Sequence, residues 1–222
     1  MILTLASSKG GVGKTTVTRL LAGRMAADGA RVTVLDADPN AGMTAWVREI
    51  HEGSTINVVA ETSETRVAEL LGELDQAADL VLVDTAGFGN LAASVAMTGA
   101  DAVLVPTGPG RDDLLEAART VERCRALARA ARRDVPTRVL VNRVQRTTSL
   151  GRHVTSEIEN LNLPRLQAVL SQSVNYGEIG YSGRLPTSQP AAREIEILVA
   201  ELRSLGWLPP ASSLYSKLAA SE

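Results

Sequence analysis

Ser8-Lys9-Gly10-Gly11-Val12-Gly13-Lys14-Thr15-Thr16 stands between two stretches of different periodicity. Before it, Met1-Ile2-Leu3-Thr4-Leu5-Ala6 reads as a short buried strand; after it, Val17 to Ala27 carries apolar residues at helical spacing. A strand, a glycine-rich turn and a helix start, in that order, make a phosphate-binding loop. The glycines let the backbone curl so that successive N–H groups point at one anion, and the helix dipole adds positive potential at the same spot. Gly10, Gly11, Val12, Gly13 and Thr16 form the expected cradle. Lys14 would reach the β- and γ-phosphates of a nucleotide, and the Thr15 hydroxyl would ligate Mg²⁺.

Against the standard G-x-x-x-x-G-K-[ST] pattern, Ser8 stands where the first glycine belongs, and Lys9 opens a K-G-G-x-G-K-T-T run. A solvated loop lysine is the bland reading of Lys9. The chain has only three lysines, Lys9, Lys14 and Lys217, and two of them fall in this loop, which argues against it. This is the deviant Walker A form, and here the sequence resembles the ParA/MinD family of partition and positioning ATPases. The resemblance implies ATP and Mg²⁺ as ligands and an ATP-dependent homodimer, in which Lys9 crosses the interface to the other subunit's phosphates.

Outward from the loop, Gly29 ends the first helix, and Arg31 to Leu35 predicts a strand that delivers Asp36-Ala37-Asp38-Pro39-Asn40 to the sheet edge. Carboxylates beside phosphates are tolerated only if Mg²⁺ or a water network offsets the repulsion. The segment resembles the family's D-x-D-P-Q switch, with Asn40 in place of Gln. The resemblance implies that Asp38 positions the attacking water and joins the metal site, while Asp36 supports the metal shell. The alternative is a helix N-cap, which suits one aspartate better than two. Leu80-Val81-Leu82-Val83 predicts a central strand handing Asp84 to the same edge as a Walker B acid for Mg²⁺, with Gly87 placed to sense a γ-phosphate.

Further along, helices are expected over 41–50, 63–77, 90–99, 113–133, 151–160 and 191–205. Strands are expected over 56–59, 102–105, 137–141 and 166–170. The strand–helix alternation predicts an α/β domain over residues 1–205: a mostly parallel twisted sheet with helices on both faces, in a P-loop NTPase architecture. A mobile tail over 206–222 would follow it. The loop Pro106 to Asp112 is expected near the adenine or a dimer seam, or else is a plain turn. Residues 173–190 read as a short helix and loop near a dimer or partner surface. Asn142, at a strand end, is expected to read the adenine edge, with Arg143 beside it. Trp46 reads as helix packing. Ala191-Ala192-Arg193-Glu194-Ile195-Glu196-Ile197-Leu198 resembles the final helix of small ParF-type partition proteins.

Composition sets the outer bounds. With 45% hydrophobic residues and 3% aromatics, the interior is aliphatic. The single Cys124 excludes a disulfide framework and a cysteine metal site within one chain. No run approaches the ~20 apolar residues of a membrane span, and Met1 leads straight into a strand, so a cytoplasmic protein is expected. The net charge of −2 hides a local excess: residues 111–152 hold 11 basic and 5 acidic side chains. Arg119, Arg123, Arg129, Arg132, Arg133 and Arg146 belong to that block. They read either as a solvated face with intrahelical pairs, such as Glu122 with Arg119 and Arg125, or as a non-specific DNA surface. The resemblance favours DNA, with nucleoid association in the ATP state and hydrolysis stimulated by a ParB-like partner. The competing classes are a MinD-like membrane ATPase, which needs a stronger basic amphipathic tail than Ser212 to Ala220 offers, and a metabolic enzyme of the dethiobiotin-synthetase type, which leaves Lys9 unexplained.

Overall fold

The structure, a computed structural model, describes residues 1–50, 55–87, 90–145 and 149–211. Among these, seven strands form one parallel sheet in the order β3-β2-β4-β1-β5-β6-β7. The strands are β1 (Ile2–Leu5), β2 (Val32–Ala37), β3 (Ile56–Ala60), β4 (Leu80–Thr85), β5 (Ala102–Thr107), β6 (Thr137–Val144) and β7 (Arg165–Ser171). Between and after them run α1 (Lys14–Ala27), α2 (Gly42–Ile50), α3 (Glu64–Ala77), α4 (Leu91–Gly99), α5 (Arg111–Ala130), α6 (Ser149–Asn160), α7 (Val174–Ser182) and α8 (Ala191–Ser204).

The central strands β2, β4 and β5 are buried along their whole length, as their unbroken aliphatic runs require when helices cover both faces. On one face Leu3, Leu5, Leu82 and Leu104 meet Leu20 and Leu21 of α1, Trp46 of α2, and Leu198 and Leu202 of α8. On the other, Ile2, Val81, Val83, Val103 and Val105 meet α3, α4 and α5. β1 lies between β4 and β5, and the chain leaves it first toward β2 and β3, then later toward β6 and β7. Loops at the carboxyl ends of such strands diverge and open a crevice there.

Four expectations shift. The first helix begins at Lys14, inside the glycine loop, because its opening turn is the loop's own anion-facing end. β6 runs on to Val144, so Asn142 and Arg143 lie within the strand, at a register break where Arg143 adopts a left-handed φ of 60°. The long helix spans Arg111–Ala130; Arg132, at φ 54°, belongs to the turn after it. Residues beyond Leu205 do not leave the domain at once: the Trp207 N–H donates to Leu202 O at 2.9 Å, and Trp207 and Leu208 are buried in the first core. The rest of the expected tail, 212–222, falls outside the described residues, as does Arg146.

Trp46 packs as expected, its indole N–H donating to Ile179 O at 2.7 Å. Cys124 is buried against Met97, and burial pushes its thiol up to about 11, which keeps it unreactive. Trp207→Ala should lower stability by about 3–5 kcal/mol in urea unfolding, as loss of a buried aromatic does. An unchanged midpoint would place the domain boundary back at Leu205.

Candidate functional site

The phosphate loop owes its shape to two glycines and two braces. Gly11 and Gly13 have φ of 75° and 99°, a region that side chains resist. A Cβ on Gly13 would also stand 2.3 Å from Asn142 Nδ2. Asn142 Nδ2 donates to Val12 O at 2.9 Å, and the Arg143 guanidinium donates to Gly11 O at 2.8 Å. The carbonyls of Gly11 and Val12 are thus tied to β6. Gly13 caps α1 without a side chain, and no acid sits in the first turn, so the positive helix end stays open to an anion. Ser8 does not need left-handed backbone, which is why glycine is dispensable there. Its N–H and hydroxyl both pair with the Thr120 hydroxyl of α5, at 3.1 and 3.0 Å.

The two lysines part company. Lys14 is buried and its ammonium donates to Lys9 O at 3.4 Å. Burial lowers its pKa, opposed by Asp84 and Asp38. Lys9 reaches outward, 42% exposed, and forms an ion pair with Asp113 in the first turn of α5. That hydrogen bond raises the Lys9 pKa. Asp113 lies so close over Gly108 that a Cβ there would stand 2.2 Å from its carboxylate. Of the expected loop Pro106 to Asp112, Pro106 and Thr107 end β5 and Arg111 and Asp112 open α5; the turn Gly108 to Gly110 between them borders, with Lys9, Gly11 and Asp113, a cavity of about 370 Å³.

The acids converge because β2 and β4 pair in register with Asp36 opposite Asp84. Asp36 accepts from the Thr44 N–H and hydroxyl at 2.8 and 2.9 Å, so it pins the start of α2, near the N-cap role that competed for it. Asp38 is less buried and accepts from Asn40 N and Nδ2, both at 2.9 Å. Asp84 is 1% exposed. One of its oxygens is 3.5 Å from the Thr18 hydroxyl, while Oδ2 has no hydrogen-bond partner. Burial pushes its carboxyl up to about 7; the Thr15 hydroxyl and Lys14 oppose this, and Asp36 and Asp38 add to it.

An orphaned buried carboxylate oxygen beside Thr15 and a phosphate loop fits Mg²⁺. Among the described residues no three His, Cys, Asp or Glu side chains form a metal cage. Mg²⁺ keeps waters and takes one or two carboxylates plus phosphate oxygens. Thr15 and Asp84 would hold it, with Asp38 at the rim. On the far side of the loop, Gly13, Thr16, Asn142, Arg143, Ser171 and Tyr176 are among the residues lining a cavity of about 320 Å³. Asn142 borders it with its amide already engaged, Nδ2 on Val12 and Oδ1 accepting from Arg143 N at 2.8 Å.

Several arginines of α5 and of the turn after it are engaged. Arg119 pairs with Glu116 and Arg125 with Glu122, so Glu122 serves one of its two expected partners. Arg123 donates to Ser94 Oγ at 2.8 Å, and Arg133 to Thr98 O at 2.8 Å. Among the described residues Arg129 and Arg132 have no ion-pair partner. Sequence reasoning missed Asp113 and Thr120, which α5 brings to the loop from more than a hundred positions away, and Thr44, which lies only eight positions from Asp36. An acid in the first turn of a helix carries no sign of its distant partner.

A family model described as VirC1 protein matches residues 1–199. A protein virC1 from Rhizobium radiobacter is 31% identical over 167 residues, 72% of each chain. A protein ParA from Rhizobium radiobacter is 33% identical over 108 residues; the match spans 49% of this chain and about half, 49%, of that relative's length. Among solved structures, the septum site-determining protein MinD complexed with Mg-ADP, from Pyrococcus horikoshii OT3, superposes with a TM-score of 0.70 at 18% identity. It covers 92% of this chain and 97% of its own. At that identity the likeness establishes the fold.

The raised pKa of Asp84 has a signed consequence. The folded state binds its proton more tightly than the unfolded chain, so stability falls as pH rises from about 4 to about 7 and stays reduced above. Nucleotide-free Asp84→Asn should therefore be more stable than wild type at pH 8, by on the order of 2–4 kcal/mol, with the gap shrinking toward pH 4. Thermal unfolding of both proteins across that range checks it; a constant gap would contradict the buried-charge account.

Proposed function

This chain belongs to the VirC1 family, and from that membership and the site's geometry we propose that it is a ParA-type partition ATPase. It would bind Mg-ATP, pair with a second copy and hydrolyse the nucleotide to ADP and phosphate, slowly when alone. The observation that carries the reading is the division of labour between the two loop lysines: Lys14 is buried within its own loop, and Lys9 points out of it.

In this reading the N–H groups of Gly10 to Thr16 and the Lys14 ammonium hold the β- and γ-phosphates. Thr15 and Asp84 would hold Mg²⁺, with Asp38 at its edge; bound there, the ion would supply positive charge to offset that of the phosphates. Asp38 orients the attacking water, and Asn40 orients Asp38 through the two hydrogen bonds it donates. Asp36 keeps α2 in place beneath them. The Mg-ADP bound by the MinD relative supports the same ligand here.

Lys9 would leave Asp113 and neutralise charge on the nucleotide of the other subunit, so the dimer depends on the γ-phosphate. The dimer would contact DNA without reading bases, through Arg129 and Arg132 first, through Arg119, Arg123 and Arg133 as their partners allow, and through Arg146. A ParB-like partner would stimulate hydrolysis and release it. Such a cycle places the protein in the cytoplasm, on the nucleoid while ATP is bound. Among the described residues no helix is long and apolar enough to cross a membrane.

Size-exclusion chromatography with ATP, ADP and no nucleotide tests the core of this. Wild type should dimerise only with ATP, Lys9→Ala should stay monomeric, and Asp38→Ala should accumulate as an ATP dimer. A monomeric wild type with ATP would sink the reading. Gel shifts on random DNA should weaken on doubling the salt, and Arg129→Ala with Arg132→Ala should flatten the salt slope by about 1 per phosphate contact removed. Unaltered DNA binding in that double variant would move the surface elsewhere.

A further inference from the structure

We propose that Glu194 is a positioning residue for the base end of the nucleotide site, holding the end of β7 and the first turn of α7 in one arrangement through Ser171 and Tyr176. The proposal rests on the reading that the cavity of about 320 Å³ beside the phosphate loop receives the base and ribose.

Glu194 sits in the first turn of α8 and is 5% exposed. A single carboxylate oxygen, Oε2, accepts from Ser171 N at 2.8 Å, Ser171 Oγ at 2.9 Å and Tyr176 Oη at 2.6 Å. Ser171 is the last residue of β7, and Tyr176 lies in the opening turn of α7. Both line the cavity, which Asn142 and Arg143 of β6 also border. The carboxylate thus fixes the distance between the two elements that form this part of the cavity wall. A buried carboxylate is a poor choice for filling space, since an apolar side chain of like volume packs there with no desolvation penalty. Convergent, charge-assisted hydrogen bonds are what it supplies instead.

The same helix carries a built-in contrast. Glu201 accepts from Gln167 N and Ala168 N, both at 2.7 Å, and so covers backbone donors of the sheet's edge strand. Neither of those residues lines the cavity. Glu201 therefore clamps β7 as Glu194 does, away from the site. Gly177 offers a second handle: it lines the cavity, and a Cβ built on it meets nothing within 4 Å.

The test is calorimetric titration of the full chain with two ligands, Mg-ADP and inorganic tripolyphosphate, which shares the phosphate loop but has no base or ribose. Glu194→Gln and Tyr176→Phe should weaken Mg-ADP about tenfold and leave tripolyphosphate within about twofold of wild type. Glu201→Gln should change neither ratio, whatever it does to melting temperature. Equal affinities in Glu194→Gln and wild type, or a parallel loss of both ligands, would overturn the proposal. Gly177→Leu separates the two readings: it should lose Mg-ADP and keep tripolyphosphate. Full Mg-ADP affinity in that variant would show that the cavity is not the base site, whatever Glu194 does.

Discussion

Asp36 and Asp84 face one another across β2 and β4, both 1% exposed, at the edge where the phosphate loop leaves β1. A buried carboxylate needs donors or a counter-ion to replace the water it has lost. Asp36 meets this with two donors from Thr44. Asp84 meets it only in part, since Oδ2 has no donor and its carboxyl is lifted to about 7. The fold therefore holds an unfilled electrostatic demand at the spot where a phosphate-bound cation would sit. The parallel register of β1, β2 and β4 creates that demand, and the hydrophobic runs on both faces of the sheet keep the register from slipping.

Around this point the remaining parts act by bracing. β6 ties down the outer carbonyls of the loop through Asn142 and Arg143, α5 ties Ser8 through Thr120, and α8 reaches the cavity wall through Glu194. Preorganisation of this kind lets backbone N–H groups act on charge without rearranging first. The exception is Lys9, whose half-exposed ion pair with Asp113 is weak enough to exchange. Solvent screens a pair this exposed.

Much of this was legible in the chain because it is local. The glycine loop, the aliphatic strands and the acids at their ends are each set by neighbours within a few residues, through backbone freedom, periodicity and strand polarity. They determined an α/β sheet, a phosphate site and the acids beside it. Only the tertiary structure decided who pairs with whom. Lys9 with Asp113, Ser8 with Thr120, Asn142 with Val12 and Glu194 with Tyr176 join different elements, three of these pairs lying more than a hundred positions apart. It also seats Trp207 and Leu208 in the first hydrophobic core, a place that no local pattern announces. The physical reason is one of range. Periodicity and propensity act within a helical turn or a strand, whereas hydrogen bonds between elements exist only once the sheet order has brought their partners together.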